Sequence, residues 1–239
     1  MWSYNKKNDL KSMDAIKKFY QMQQQKYLWE KKTRKAVWRG SSTGNKKLPW
    51  RDLPRSKLIN ASMLHPDILD VGYYAYYQRQ KEAEVIKAEF GRKKMIPIED
   101  FQTYIAVIDI DGNAWSSRFP NLLCQNSVVL KVDSSYETYF EQSLTPWVHY
   151  VPVKSDLSDL VEVVNHALAE ENVLIMQEIV TNANEWCTSH LSNINMAHQM
   201  LWTLVGYSEL LNASSFNWQE QWGRIKNDLG YNASILLND

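Results

Sequence analysis

"YIAVIDIDGNAWSSRF", Tyr104 to Phe119, decides the fold. Its first half is rich in β-branched residues and continuously apolar from Ile105 to Ile108, as expected of a parallel strand covered on both faces. Its second half sets two aspartates, a glycine, small polar residues and an arginine directly behind that strand. Working outward, "KAVWRGSSTG" is a short apolar run closed by small residues, a strand entering a loop, and "HPDILDVGYYAYY" reads as another strand. "SVVLKV" and "WVHYVPV" follow as further strands. "LPWRDLPRSKLINASML" reads as a turn and a short helix, "VIKAEFG" as a helix ended near Gly91, and "SRFPNLLCQN" and "SYETYFEQSL" as helical. Asp156 to His190 forms one or two long helices with an apolar face through Leu160, Val163, Val164, Leu168, Ile175 and Ile179. Strands alternating with helices predict an α/β fold with a doubly wound parallel sheet, which binds ligands beyond the carboxyl ends of its strands. The loops after Val37, Ile108 and Leu130 are therefore where chemistry is expected.

The chain of 239 residues is 44% hydrophobic and 12% aromatic, enough for a sizeable core. No apolar run approaches the roughly 18 to 20 residues of a membrane span, and "MWSYNKKNDLKSMD" lacks the apolar core of a secretory signal. The chain reads as soluble. Net charge is zero, yet Met1 to Lys57 hold 16 Lys+Arg against 4 Asp+Glu, leaving 11 against 23 in the remainder. This basic segment suits a polyanion, an acidic membrane surface or a phosphorylated molecule, and equally a solvated helix from about Asp9 to Thr33, since its lysines fall on most sides. Cys124 and Cys187 are too few for a disulfide framework and too far apart for a metal motif; they leave room for one bridge. Sequons begin at Asn60, Asn212 and Asn232.

Asp109, Asp111 and Asn113 match the first half of a calcium loop, but the position that requires glycine is Ala114 and the one that requires a bidentate glutamate is Pro120. A structural reading has Gly112 turning the chain, Ser116 or Ser117 capping the next helix, and Asp109 or Asp111 accepting backbone hydrogen bonds. It leaves Arg118 without a purpose, because a cation in a first helical turn opposes the dipole unless an anion sits there. An anion at that place is a third reading, in which free amides, serine hydroxyls and a guanidinium converge on phosphate oxygens. "WRGSSTG" repeats the theme. Val37 and Trp38 are most simply core and Gly40 and Gly44 turn formers, whereas Arg39 sits at a strand end beside a glycine and serines. Two such loops in one sheet favour a diphosphate ligand. P-loop, dinucleotide, nucleophile-elbow, zincin and kinase signatures are absent. His149 reads equally as a core histidine or a ligand contact; His65, His166, His190 and His198 have no metal-ligand spacing, and no metal is expected.

"AVWRGSSTG", "YIAVIDIDGNAWSSRFPNLLCQNSVVLKVDSSYETYF" and "LTPWVHYVPVKSDLSDL", in this order and spacing from about Trp29 to Leu191, resemble the capsule-associated (CAP-type) glycosyltransferases. That family includes the Rumi-type protein O-glucosyltransferases and fungal xylosyltransferases. The resemblance implies a GT-B fold of two Rossmann-like domains and metal-independent, inverting transfer from a UDP-sugar to a hydroxyl of a protein or polysaccharide acceptor. No cofactor is implied beyond that donor substrate, and nucleic acid is not an expected partner. Arg39, Gly40 and Ser41 match the loop bordering the donor site; Ser116, Ser117 and Arg118 match the segment facing the donor diphosphate. Asp111, Gly112 and Asn113 match the turn before it, and Lys131 follows the "SVVL" strand. On this reading residues 1–33 are a basic helical lead-in, 34–195 the donor-binding domain and 196–239 carboxyl-terminal helices.

The family's base is an aspartate ahead of the WRGS loop. Only Asp9, Asp14 and Glu30 precede that loop here, in surroundings unlike the family's, so the first Rossmann-like domain is expected to be missing. The catalytic residue is unassigned and activity is left open. A catalytically inactive binding protein that uses the basic segment on a polyanion is the competing reading. The resemblance places relatives in the lumen of the secretory pathway, although the chain has no signal or anchor of its own.

Overall fold

The computed structural model describes Lys18, Tyr20 and residues 27–210. Five strands form one parallel sheet: β1 (Thr33–Ser41), β2 (Leu69–Ala75), β3 (Tyr104–Asp109), β4 (Val128–Val132) and β5 (Val151–Val153), in the order β2-β1-β3-β4-β5. The α/β architecture is Rossmann-like, as expected. Burial explains the strand patterns. Ala36 to Trp38, Ile105 to Ile108 and all of β4 are buried, whereas edge strands β2 and β5 include half-buried residues. The apolar runs in the middle of the sheet are continuous because both faces are covered.

Helices α1 (Pro54–Leu64), α2 (Ala83–Phe90), α3 (Phe119–Leu123), α4 (Leu160–Leu168) and α5 (Val173–His190) complete this unit. Leu58 and Ile59 of α1, Leu160, Val163 and Val164 of α4, and Met176, Ile179 and Val180 of α5 join the strands in one apolar core. Helix α2 stops at Gly91, whose φ of 66° and ψ of −178° define a conformation essentially confined to glycine. The chain divides into compact units Met1–Asn193 and Ile194–Asp239; the second contains most of α6 (Asn193–Leu210), on which Met200, Trp202 and Tyr207 are exposed. Among the described residues no helix is long and apolar enough to cross a membrane.

Several expectations change. Residues 29–31 form a 3-10 turn and β1 begins at Thr33, so the amino-terminal helix does not reach Thr33. The rest of that helix lies outside the described residues except Lys18 and Tyr20, which are helical. "SYETYFEQSL" is not a helix beyond the turn Glu141–Ser143. Phe140 packs on Phe119 and Trp186, and Glu141 accepts from Thr138 while pairing with Lys131, which fixes the segment through distant partners. Ile175 is 51% exposed and Met176 is buried in its place, because the 3-10 turn Glu170–Asn172 resets the helical phase between α4 and α5.

Cys124, just past α3, is bonded to Cys187 of α5 across 63 residues. A loop of that size restricts the unfolded chain by about 4 kcal/mol at most. Replacing both cysteines with alanine should lower the unfolding free energy by up to about that amount in a urea titration; an unchanged midpoint would show that the bridge contributes nothing.

Candidate functional site

Strand β1 pairs with β2 on one side and β3 on the other, so the connections leave its carboxyl end and that of β3 in opposite directions. This reversal of strand order opens a crevice between the two loops. The β1 side carries a register irregularity at Gly40/Ser41 and then the Ser42–Gly44 loop. The β3 side carries Asp109, Ile110 and the tight turn around Gly112, whose N–H donates to the Ala114 carbonyl at 3.1 Å. Gly44 N–H joins the sides, lying 3.0 Å from both Asn113 Oδ1 and Gln78 Oε1. A cleft of about 910 Å³ follows these carboxyl ends, lined by Gly44, Lys46, Lys47, Asp111, Asn113, Ser134 and Tyr136 among others.

Arg55, in the first turn of α1, crosses the crevice. Its Nε donates to Asp111 O at 2.7 Å, and Nη1 to Ser41 O at 3.1 Å and Thr43 Oγ1 at 2.6 Å. Arg118 enters from the other loop and donates through Nη1 to Arg39 O at 2.6 Å. Both guanidiniums lie over the Trp38 indole, at 5.3 and 5.7 Å from its ring centre. Burial lowers the Arg55 pKa to about 10, with the positive charge of Arg118 adding to the effect. Burial lowers that of Arg118 too, opposed by the Asp109 carboxylate.

The other expected cations are differently engaged. Arg39 Nη2 reaches both carboxylate oxygens of Asp70 at 2.9 and 2.8 Å, and Nη1 and Nε bond the carbonyls of Trp38, Asp70 and Lys94. Burial works against the Asp70 charge, but Arg39 and the Tyr104 hydroxyl outweigh it and hold the pKa at about 2. Lys131 is buried against Glu141 at 3.1 Å and lies over the Phe119 ring. Arg55 and Arg118, in contrast, form no salt bridge among the described residues. Two positive groups thus sit together with their charges unmatched by direct ion pairs.

Asp111 and Asn113 line the cleft, while Arg39, Gly40, Ser41, Ser116, Ser117, Arg118 and Lys131 are not on its wall. Ser116 does not cap α3, because its hydroxyl donates to the buried Asp109 carboxylate; Arg118 holds the N-cap position with no side-chain cap bond. Asp111 accepts from Ser134, so these aspartates take serine hydroxyls rather than the backbone bonds expected of them. His149 is half-buried and accepts from Thr145 N–H at 2.9 Å. Among the described residues no three His, Cys, Asp or Glu side chains gather as a metal site requires. Sequence reasoning missed Arg55, although the signal was available: like Arg118, it is a cation where the helix dipole disfavours one.

The parallel Rossmann-like sheet thus carries, at its switch point, two guanidiniums that form no direct ion pair among the described residues. The sequence profile of Glycosyl transferase family 90 matches residues 1–228, and the chain belongs to that family. It is 32% identical over 168 residues to Protein O-glucosyltransferase 3 of Homo sapiens, covering 66% of this chain and 31% of that protein. It is 31% identical over 185 residues to Protein O-glucosyltransferase 1 of Rattus norvegicus (77% and 44%) and 35% over 140 residues to Protein O-glucosyltransferase 2 of Danio rerio (59% and 26%). The kinship carried by the three motif blocks is borne out. The matched stretch spans less than half the length of each of these relatives.

Burial raises the Asp109 pKa to about 6, against the opposing effects of Ser116, Arg118 and Lys131. Between the unfolded value and about 6 the folded chain holds the extra proton, so this group's contribution to stability falls as pH rises through that window. Asp109→Asn removes the dependence. In thermal unfolding from about pH 4 to 7, the variant should gain on the parent as pH rises; a constant difference between them would refute the assignment.

Proposed function

We propose that this chain is the donor-binding portion of a glycosyltransferase that moves a sugar from a UDP-sugar to an acceptor hydroxyl, with inversion and without a metal. The observation that carries the reading is the pair Arg55 and Arg118, both over the Trp38 ring and without a direct carboxylate ion pair among the described residues, at the switch point of the sheet. The sheet is read as the donor half of a GT-B arrangement. Glucose is the first sugar to test, because similar proteins are named protein O-glucosyltransferases.

In the proposed step the acceptor oxygen attacks the anomeric carbon from the side opposite the diphosphate. The new C–O bond forms as the bond to the β-phosphate oxygen breaks, and negative charge accumulates on the departing diphosphate. Arg55 and Arg118, with the amides of the two loops, stabilise that charge; their positions are set beforehand by carbonyl contacts. Arg39 supports them indirectly, since its carbonyl holds Arg118 while its own charge is matched by Asp70. Asp111, Asn113, Ser134 and Tyr136 line the cleft that would receive the nucleoside. Attack also requires a base for the hydroxyl proton. Asp9 and Asp14 lie outside the described residues, and Glu30 is exposed before β1, at the other end of that strand from the site, so the base is left unassigned.

The Cys124–Cys187 bridge supports an oxidising compartment such as the secretory lumen. Asn60 is exposed on α1 as an acceptor for N-glycosylation there; Asn212 and Asn232 lie outside the described residues.

UDP-glucose should raise the unfolding midpoint of the chain. Arg118→Ala and Arg55→Ala should each weaken its binding by roughly 10- to 100-fold, the scale of a charge-assisted bond to an anion. Thermal unfolding with and without UDP-glucose measures the first effect and titration calorimetry at two salt concentrations the second, and an unresponsive parent chain would sink the reading.

A further inference from the structure

We infer that Trp38 is a positioning residue for the donor diphosphate, its buried indole serving as the platform that holds Arg55 and Arg118 together as a like-charged pair. The inference rests on the proposed donor site and adds how that site is kept assembled. Two guanidiniums side by side repel one another, and no carboxylate bonded to either brings them together. Both feel the Asp109 carboxylate at a distance, and both lie on one fully buried ring, within the roughly 6 Å over which a cation is attracted by an aromatic face. Tryptophan has the strongest such face of the natural side chains.

The ring is held independently of the arginines. Trp38 lies in β1 opposite Val71 of β2, and Tyr73 meets it edge-on at 6.0 Å. Gly40 leaves room for the indole: a Cβ there would stand 2.2 Å from Cζ2 and 2.4 Å from Cη2. The backbone of the WRGS loop and the platform beneath the cations are therefore fitted to one another. The indole Nε1–H is buried and makes no hydrogen bond. Leaving a buried donor unpaired costs stability, and a phenyl ring would fill apolar space without that cost. A phenyl would, however, leave empty the space that Cζ2 and Cη2 fill beside Gly40, so packing favours the indole as well as its electron-rich face.

The experiment compares Trp38→Phe and Trp38→Leu with the parent, measuring the unfolding midpoint and the UDP-glucose dissociation constant. Trp38→Phe empties the space of Cζ2 and Cη2 beside Gly40, so it should fold with a lowered midpoint and bind UDP-glucose about 3- to 10-fold more weakly. Trp38→Leu should lose more. The same substitutions are then made on Arg118→Ala. A residue acting through the guanidiniums loses part of its effect in that background, where only Arg55 is left on the ring, whereas a purely structural one subtracts the same factor in both. Parent-like affinity in folded Trp38→Phe and Trp38→Leu, or equal losses in both backgrounds, overturns the platform role and leaves the donor site standing. If the parent does not bind UDP-glucose, the donor site falls, and the role of Trp38 with it.

Discussion

The central position of β1, bonded to β2 on one edge and to β3 on the other, constrains the rest of the structure. A strand paired on both edges and covered on both faces has little freedom, and its residues must suit four neighbours at once. Trp38 meets this as a fully buried ring, and Gly40 as the residue that leaves space for it. Because strand order reverses at β1, the loops leaving β1 and β3 diverge and cannot fill the space between them with their own chain. Arg55 and Arg118 enter from the two sides and bond carbonyls across it.

The charges divide by their partners. Arg39 and Lys131 sit among carboxylates and aromatic rings that balance them, so they stabilise structure and have little left to offer a ligand. Arg55 and Arg118 are oriented by neutral carbonyls, which fix direction without cancelling charge. A cation held this way keeps its field for an incoming anion and needs little rearrangement when one arrives. Asp109, buried beside Arg118 and bonded to Ser116, tempers the excess.

The strands were legible because burial on two faces leaves a mark in composition: Ile105 to Ile108 and Val128 to Leu130 suit little else. The unusual placement of Arg118 was legible from local chemistry, a cation where a helix dipole opposes it. Features set by distant residues were not. Nothing near Arg39 announces that Asp70 will take its guanidinium, and nothing near Glu141 announces Lys131. The same holds for the segment from Ser135 to Leu144, whose helical composition is overruled by the packing of Phe140 on α5. Ile175 was misplaced because one short turn between two helices shifts the phase of everything after it.

The bridge between Cys124 and Cys187 also bears on how the protein is made. Cys124 follows Arg118 by six positions, but its partner comes 63 residues later, after every strand of the sheet. During synthesis β3 and the Arg118 loop, and then β4 and β5, therefore leave the ribosome before any covalent tie to that loop can close. Non-covalent strand pairing is therefore free to set the position of that loop before the bridge closes. The disulfide seals the arrangement in a chain already committed to it, which ties a late oxidation event to the region where the proposed chemistry takes place.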